Sequence, residues 1–160
     1  MKEIELTRGK VAIVDDCDYD GLIGYHWNCG KRNYAARNVP AGEHKRTTMK
    51  MHIQIMGKID GLEIDHINGN TLDNRRENLR YVTHKQNVQN SSSYKGSTSK
   101  YIGVFLNKKT NSWRAKITTD NHTYSLGCYK SEEDAAWVRD VWAESMFGKY
   151  AKLNVVHPSK

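Results

Sequence analysis

Apolar and polar positions repeat at two periods along this chain, and the periods divide it. "GKVAIVD" (9–15) is a short apolar run bounded by polar residues, as a buried strand would be. "RTTMKMHIQIMG" (46–57) sets Met49, Met51, Ile53 and Ile55 at every second position, which predicts a half-buried strand. "GLEIDH" (61–66) predicts another, with Leu62 and Ile64 on one side. "INGNTLDNRREN" (67–78) is then a loop of turn formers, "LRYVT" a strand, and "THKQNVQN" (83–90) a helix start, with Thr83 as N-cap and Gln86 completing a capping box. Past a Ser/Gly/Lys-rich stretch, "VQNSSSYKGSTSK" (88–100), come three strand-like runs: "YIGVFL", "SWRAKITT" and "HTYSLGCY". The turn-prone segments "NKKTN" and "TDN" separate them. The period changes to helical over "SEEDAAWVRDVWAESMFG" (131–148). Ser131 and Asp134 stand at capping positions, Ala135, Val138, Arg139, Trp142 and Met146 share a face, and Gly148 supplies the stop. The expected fold class is α+β, and the low-complexity stretch reads as a linker.

Composition narrows the class. The 160 residues are 38% apolar, enough for two lean cores. No run is long enough to span a membrane, and the start lacks a signal-peptide pattern, so the expectation is a soluble, cytoplasmic protein without a membrane partner. Cys17, Cys29 and Cys128 are odd in number and widely spaced, which argues against a disulfide framework and a structural zinc.

The net charge of +7 is unevenly spread. Residues 31–58 hold seven Lys/Arg against Glu43 alone, and residues 94–130 hold seven against Asp120 alone. Two separated basic segments fit a polyanion touched at two places, most simply nucleic acid. "DCDYDG" (16–21) mimics the opening of a calcium loop, but the position that must supply a bidentate carboxylate is Trp27. It reads as a solvated acidic turn with non-helical flanks.

The chemistry concentrates in "EIDHINGNTLDNRRENLRYVTHKQNVQN" (63–90), which has one Asp-His pair and six asparagines. Strand, loop, strand and helix would gather Asp65, His66 and Asn87. Phosphodiester hydrolysis needs a base that works near neutral pH, which histidine supplies, and a cation on the phosphate oxygens. A hard ion such as Mg²⁺ takes few protein ligands, all oxygen; one carboxylate and one amide carbonyl suffice. Asn78 can tie the long loop to itself and so orient His66. His84, three residues before Asn87, is within reach of the metal or phosphate. His52, opposite the apolar face of its strand, is within reach of DNA. Both are read first as surface or supporting histidines.

"MHIQIMG", "IDHINGN", "LDNRRENLR" and "THKQNVQN" closely resemble the HNH endonuclease family, in particular its phage and intron-encoded homing type, over roughly residues 1–90. The resemblance implies a ββα-metal fold, with His66 as general base, Asp65 and Asn87 as ligands of Mg²⁺ or Mn²⁺, and Asn78 as the loop-orienting asparagine. It also implies 5′-phosphate and 3′-hydroxyl products, and a phage-encoded protein acting inside the host cell. Some relatives carry zinc-binding cysteine pairs; none is present here.

In "SWRAKITT", Trp113, Ala115 and Ile117 should face the helix, and Arg114, Lys116 and Thr118 should face outward. With Lys108, Lys109 and Ser125 nearby, that face is basic and small, and a three-stranded sheet can lie in a major groove. "YIGVFLNKKTNSWRAKI", "YSLGCYKSEEDAAWVRD" and "FGKYAKLN" resemble the Apetala-type (ethylene-response-factor) DNA-binding domain over residues 97–156. Plant members often carry Arg at the positions of Ile102 and Phe105, and Trp at that of Ser125. The expected organisation is a nuclease domain over 1–92 (lead-in 1–49, ββα-metal core about 50–92), a linker over 93–99, and an Apetala-type domain over 100–156. The expected function is metal-dependent cleavage of double-stranded DNA, by a monomer or a homodimer. The rivals are a DNA-binding regulator with a degenerate nuclease domain and an RNA-directed nuclease.

Overall fold

Residues 1–90, 97–120 and 122–156 are described by the computed structural model. The expected linker, 93–99, falls partly outside them, as does Asn121 of the "TDN" turn. The chain divides into two compact units, residues 1–84 and 85–160. Helices and small antiparallel sheets are mixed in an α+β fold. Among the described residues, no helix is long and apolar enough to cross a membrane.

In the first unit, alternation over residues 2–14 closes a hairpin. Strand β1 (Lys2–Leu6) pairs antiparallel with β2 (Lys10–Val14), and Ile4, Leu6, Ala12 and Val14 point inward. Helix α1 (Asp16–Ile23) follows, then a three-stranded sheet of β3 (Asn28–Cys29), β4 (Ala35–Pro40) and β5 (Arg46–Lys50), with β4 in the middle. Helix α2 (Met51–Met56) leads to a second hairpin, β6 (Glu63–His66) with β7 (Leu79–Val82). One core joins Ile4, Val14, Leu22, Trp27 and Met51. Trp27 is fully buried, and its indole N–H donates to the Leu22 carbonyl at 2.9 Å, so no polar group is left unsatisfied by that burial.

Two expectations fail here. "DCDYDG" is not a solvated turn but the body of α1. Acidic residues suit a helix N-terminus, where backbone N–H groups lack partners. Asp15 and Asp18 also bind a distant segment: Asp15 accepts from the Arg76 backbone N–H at 2.8 Å, and Asp18 accepts from its guanidinium at 2.7 and 2.8 Å. The strand expected over 46–57 ends at Lys50, and "MHIQIM" is helix α2. Met51 and Ile55 lie four apart and both meet the core, so the helical spacing prevails over the alternation. Burying Met51 alone contributes about 1.5–3 kcal/mol.

Helix α3 (His84–Gln89) begins where expected, directly after Thr83, and runs across the division between units. In the second unit, β8 (Val104–Asn107), β9 (Ser112–Thr119) and β10 (His122–Tyr129) form a sheet with β9 central, backed by α4 (Glu132–Phe147). The first strand is shorter than "YIGVFL", because Gly103 turns the chain with φ +73°. Ser131 caps α4, accepting from the Asp134 N–H at 3.2 Å, and Gly148 ends it.

The buried face of α4 differs from the expected one. Ala135, Ala136, Arg139, Asp140, Ala143 and Phe147 are buried, whereas Trp142 and Met146 are exposed. The three alanines let the helix approach the sheet closely, so small residues rather than large ones mark the contact. Arg139 and Asp140 are buried as a pair, and Asp140 also accepts from the backbone N–H groups of Asn154 and Val155. A buried charge must be partnered, and here the C-terminal segment partners it.

Candidate active site

Asp65 and His66 close β6. Successive side chains on a strand point to opposite faces, so the two diverge. Asp65 turns to Arg80, its neighbour across the hairpin, whose guanidinium donates to Oδ2 at 2.8 and 2.9 Å. His66 turns to a buried cluster. Its Nε2 lies 3.4 Å from Asn74 Oδ1, and its ring centre is 5.0 Å from that of His52 and 5.8 Å from that of Tyr34. Both carboxylate and imidazole are buried, at 7% and 3% exposure.

Burial holds the His66 pKa below the usual imidazole value, against the opposing pull of Asn74, Asp65 and Asp73. The ring is therefore neutral at physiological pH, with a nitrogen able to accept a proton. His52 is pushed down to about 3, chiefly by burial and further by the neighbouring His66 and the Lys50 ammonium. It is not on an exposed strand face, as the alternation predicted. It sits on α2, 4% exposed, with Nδ1 buried and unpartnered among the described residues. Tyr34 completes the cluster, and burial raises its hydroxyl pKa.

The loop of residues 67–78 accounts for most of the asparagines. Asn78 accepts from the Asn68 N–H at 3.0 Å and donates to the Asp73 carbonyl at 2.8 Å, clamping the two ends of the loop. Asn68 donates to the Asp73 carboxylate, and Asn70 accepts from the Leu72 N–H. Side-chain amides thus do the work that strand partners do elsewhere. Arg75 holds Asp73 at 2.7 and 2.8 Å and keeps its carboxyl below the usual range. The loop is fastened to β2 by Ile13, whose N–H donates to the Leu72 carbonyl and whose carbonyl accepts from the Asn74 N–H, both at 2.8 Å. Asn74, fully buried, received no role from the sequence. Only its place among turn-forming amides distinguished it.

The structure brings Asp65, His66, Asn78 and His52 into one region of the first unit. His84 lies elsewhere on it: its Nδ1 is 2.8 Å from Glu63, at the opposite end of β6 from His66, and its side chain is largely exposed. Asn87 lies on α3 in the second unit. Among the described residues, no three or more His, Cys, Asp or Glu side chains gather as a metal cage. A single buried carboxylate, one residue before a neutral imidazole that faces away from it, fits a hydrated hard cation with few protein ligands, and such an ion would share Asp65 with Arg80.

In the second unit, Arg114, Lys116 and Thr118 are exposed on one face of β9, while Ala115 and Ile117 are buried against α4. Ser125 stands opposite Lys116 on β10. Phe105 stands opposite Arg114 on β8, and the Lys116 ammonium lies 4.8 Å from its ring. Lys108 and Lys109 are exposed in the turn between β8 and β9.

Residues 51–89, which include α2, both strands of the site hairpin and α3, match the HNH endonuclease family model. Over this stretch the chain is similar to the HNH endonucleases, and the enzyme class that the match supports is the endonucleases. The chain is 29% identical over 150 residues to an uncharacterized HNH endonuclease of Acanthamoeba polyphaga mimivirus, covering 93% of this chain and 77% of that protein. It is also 29% identical over 109 residues to Protein 3.8 of Escherichia phage T7, covering 65% of this chain and 89% of that one. No solved structure matches the chain.

Proposed function

We propose that this protein is a metal-dependent DNA endonuclease of the homing type that hydrolyses phosphodiester bonds in duplex DNA. The observation that carries the reading is His66, a buried, neutral imidazole next to buried Asp65 within the segment that matches the HNH endonuclease model. His66 accepts the proton of the attacking water. Asn74 fixes its ring, and Asn78 fixes the loop that carries Asn74. Asp65 and Asn87 are the proposed ligands of Mg²⁺ or Mn²⁺, Asn87 on the strength of its motif position. The ion, when bound, supplies positive charge to the phosphate oxygens as the bond breaks.

The exposed face of β8–β10 is the proposed second DNA contact, in the manner of an Apetala-type domain, with Arg114 and Lys116 as its cations and Thr118, Ser125, Lys108 and Lys109 beside them. The support is its charge and the absence of any acidic residue among those positions.

The test is cleavage of supercoiled plasmid by the purified protein with Mg²⁺ or Mn²⁺, with nicked and linear products separated. His66→Ala should lower the rate about a hundredfold to ten-thousandfold while leaving plasmid binding nearly unchanged. Cleavage at the parental rate would remove His66 from the mechanism. Plasmid binding without cleavage under either metal would make the protein a DNA-binding regulator, and cleavage of RNA alone would make it an RNA-directed nuclease.

A further inference from the structure

The sheet β3–β4–β5 carries a groove of about 540 Å³, which lies outside the matched segment 51–89. Its floor is Ala36, flanked in register by Asn28 on β3 and Lys50 on β5; further along, Asn38 and Thr48 stand opposite each other. Lys31 and Tyr34 also line it. The lining thus offers two ammonium groups, the Arg37 guanidinium, two amides and two hydroxyls, with no carboxylate.

The arginines around the site loop are different. Arg75 is spent on Asp73 and Glu77, Arg76 on Asp18, and Arg80 on Asp65. Lys31 and Lys50, together with Lys45 in the turn before β5 and Arg46 on β5, have no carboxylate partner among the described residues. The unneutralised charge of residues 31–58 therefore gathers on this sheet.

The groove also shares a residue with the site. Tyr34 belongs to both, lining the groove and packing 5.8 Å from the His66 ring. The Lys50 ammonium lies 4.6 Å from the Tyr34 ring, and its charge is felt at both His52 and His66. Thr71 of the site loop donates to the carbonyls of Arg32 and Asn33, just before β4, so groove and loop are fastened together.

From this juxtaposition we infer that the open face of β3–β4–β5 is a track for the backbone of duplex DNA flanking the scissile phosphate. Lys31 and Lys50 contact successive phosphates, and Asn28, Asn38 and Thr48 supply neutral contacts to phosphate and sugar. The inference rests on the endonuclease reading above, and it gives DNA a contact surface in the first unit.

The experiment measures binding of a short DNA duplex, without divalent metal, by the full-length His66→Ala chain across a salt series. Each phosphate contact contributes about 0.9 to the slope of log affinity against log salt. Lys31→Gln with Lys50→Gln should lower the slope by about 1.8 and weaken binding. Asn38→Glu with Thr48→Glu, both at exposed positions, should weaken it further by placing carboxylates in the track. Lys2→Gln with Lys10→Gln, an equal change of net charge on hairpin β1–β2, should leave the slope unchanged.

An unchanged slope in the groove variants, while the parent still binds, overturns the track and leaves the endonuclease reading standing. Equal losses in the groove and hairpin pairs overturn it too, since net charge would then explain both. Failure of the parent to bind any duplex overturns both readings, and binding of single-stranded RNA in preference to the duplex overturns the choice of DNA.

Discussion

At the scale of single residues, the pressing fact is that two imidazoles are buried side by side, and neither is charged. His52 ordinarily takes a proton near pH 6.5, whereas in the fold it does so only near 3. Below pH 6.5 the unfolded chain therefore binds a proton that the folded chain refuses. The sign follows: the stability due to this group is fully present above about pH 6.5 and drains away as pH falls towards 3, at about 1.4 kcal/mol per pH unit. Urea unfolding at pH 7 and pH 5 should show the wild type losing roughly 1–2 kcal/mol more than His52→Leu. Parallel losses in the two chains would clear His52 of any part in acid sensitivity. The sequence made Asp65, His66 and Asn78 conspicuous, because an acid, a base and a row of amides in one motif have few other uses. It singled out His52 as a surface or supporting histidine but hid its burial, and it hid Asn74 altogether, since burial is a tertiary property and an amide at a turn looks the same whether it meets solvent or an imidazole.

At the scale of elements, legibility followed the length of the pattern. The capped, sixteen-residue α4 and the alternating β9 stood out, as did hairpin β6–β7 through the turn chemistry of its loop. Two short helices did not. Six residues of "MHIQIM" satisfy a period of two as readily as one of 3.6, and only the core beneath Met51 and Ile55 decides between them. The face of α4 was misjudged for the opposite reason: its large apolar residues, Trp142 and Met146, are exposed, and its alanines make the contact. That close packing explains Gly103, where an added Cβ would stand 2.5 Å from the Lys116 carbonyl oxygen and 3.0 Å from Arg139 Cγ, at a positive φ. Gly103→Ala should destabilise the second unit by at least 1–3 kcal/mol, read as a lowered melting temperature of its transition. A melting curve that matched the wild type would mean that β8 and α4 separate more easily than their packing implies.

At the scale of the whole molecule, charge and chemistry are distributed differently. A chain ending at Ser93 retains Asp65, His66, Asn78 and Asn87 but loses the whole basic segment 94–130. Under the proposed reading it should bind DNA more weakly, with a shallower salt dependence, and lose most site preference, measured on the same duplex series once its folded spectrum is verified. Equal affinity, slope and preference in the short and full chains would remove the second sheet from DNA binding. The loop that holds His66 in place is moored to the chain's beginning, through Ile13, Asp15 and Asp18, and these links span as many as 61 residues. Joining points so distant costs loop-closure entropy before any contact rewards it, so they meet only after hairpin β1–β2 already stands. In a refolding time course, cutting of plasmid should return after the secondary structure does, and a return in step with it would contradict this order. A newly made chain would then be shaped before it is armed.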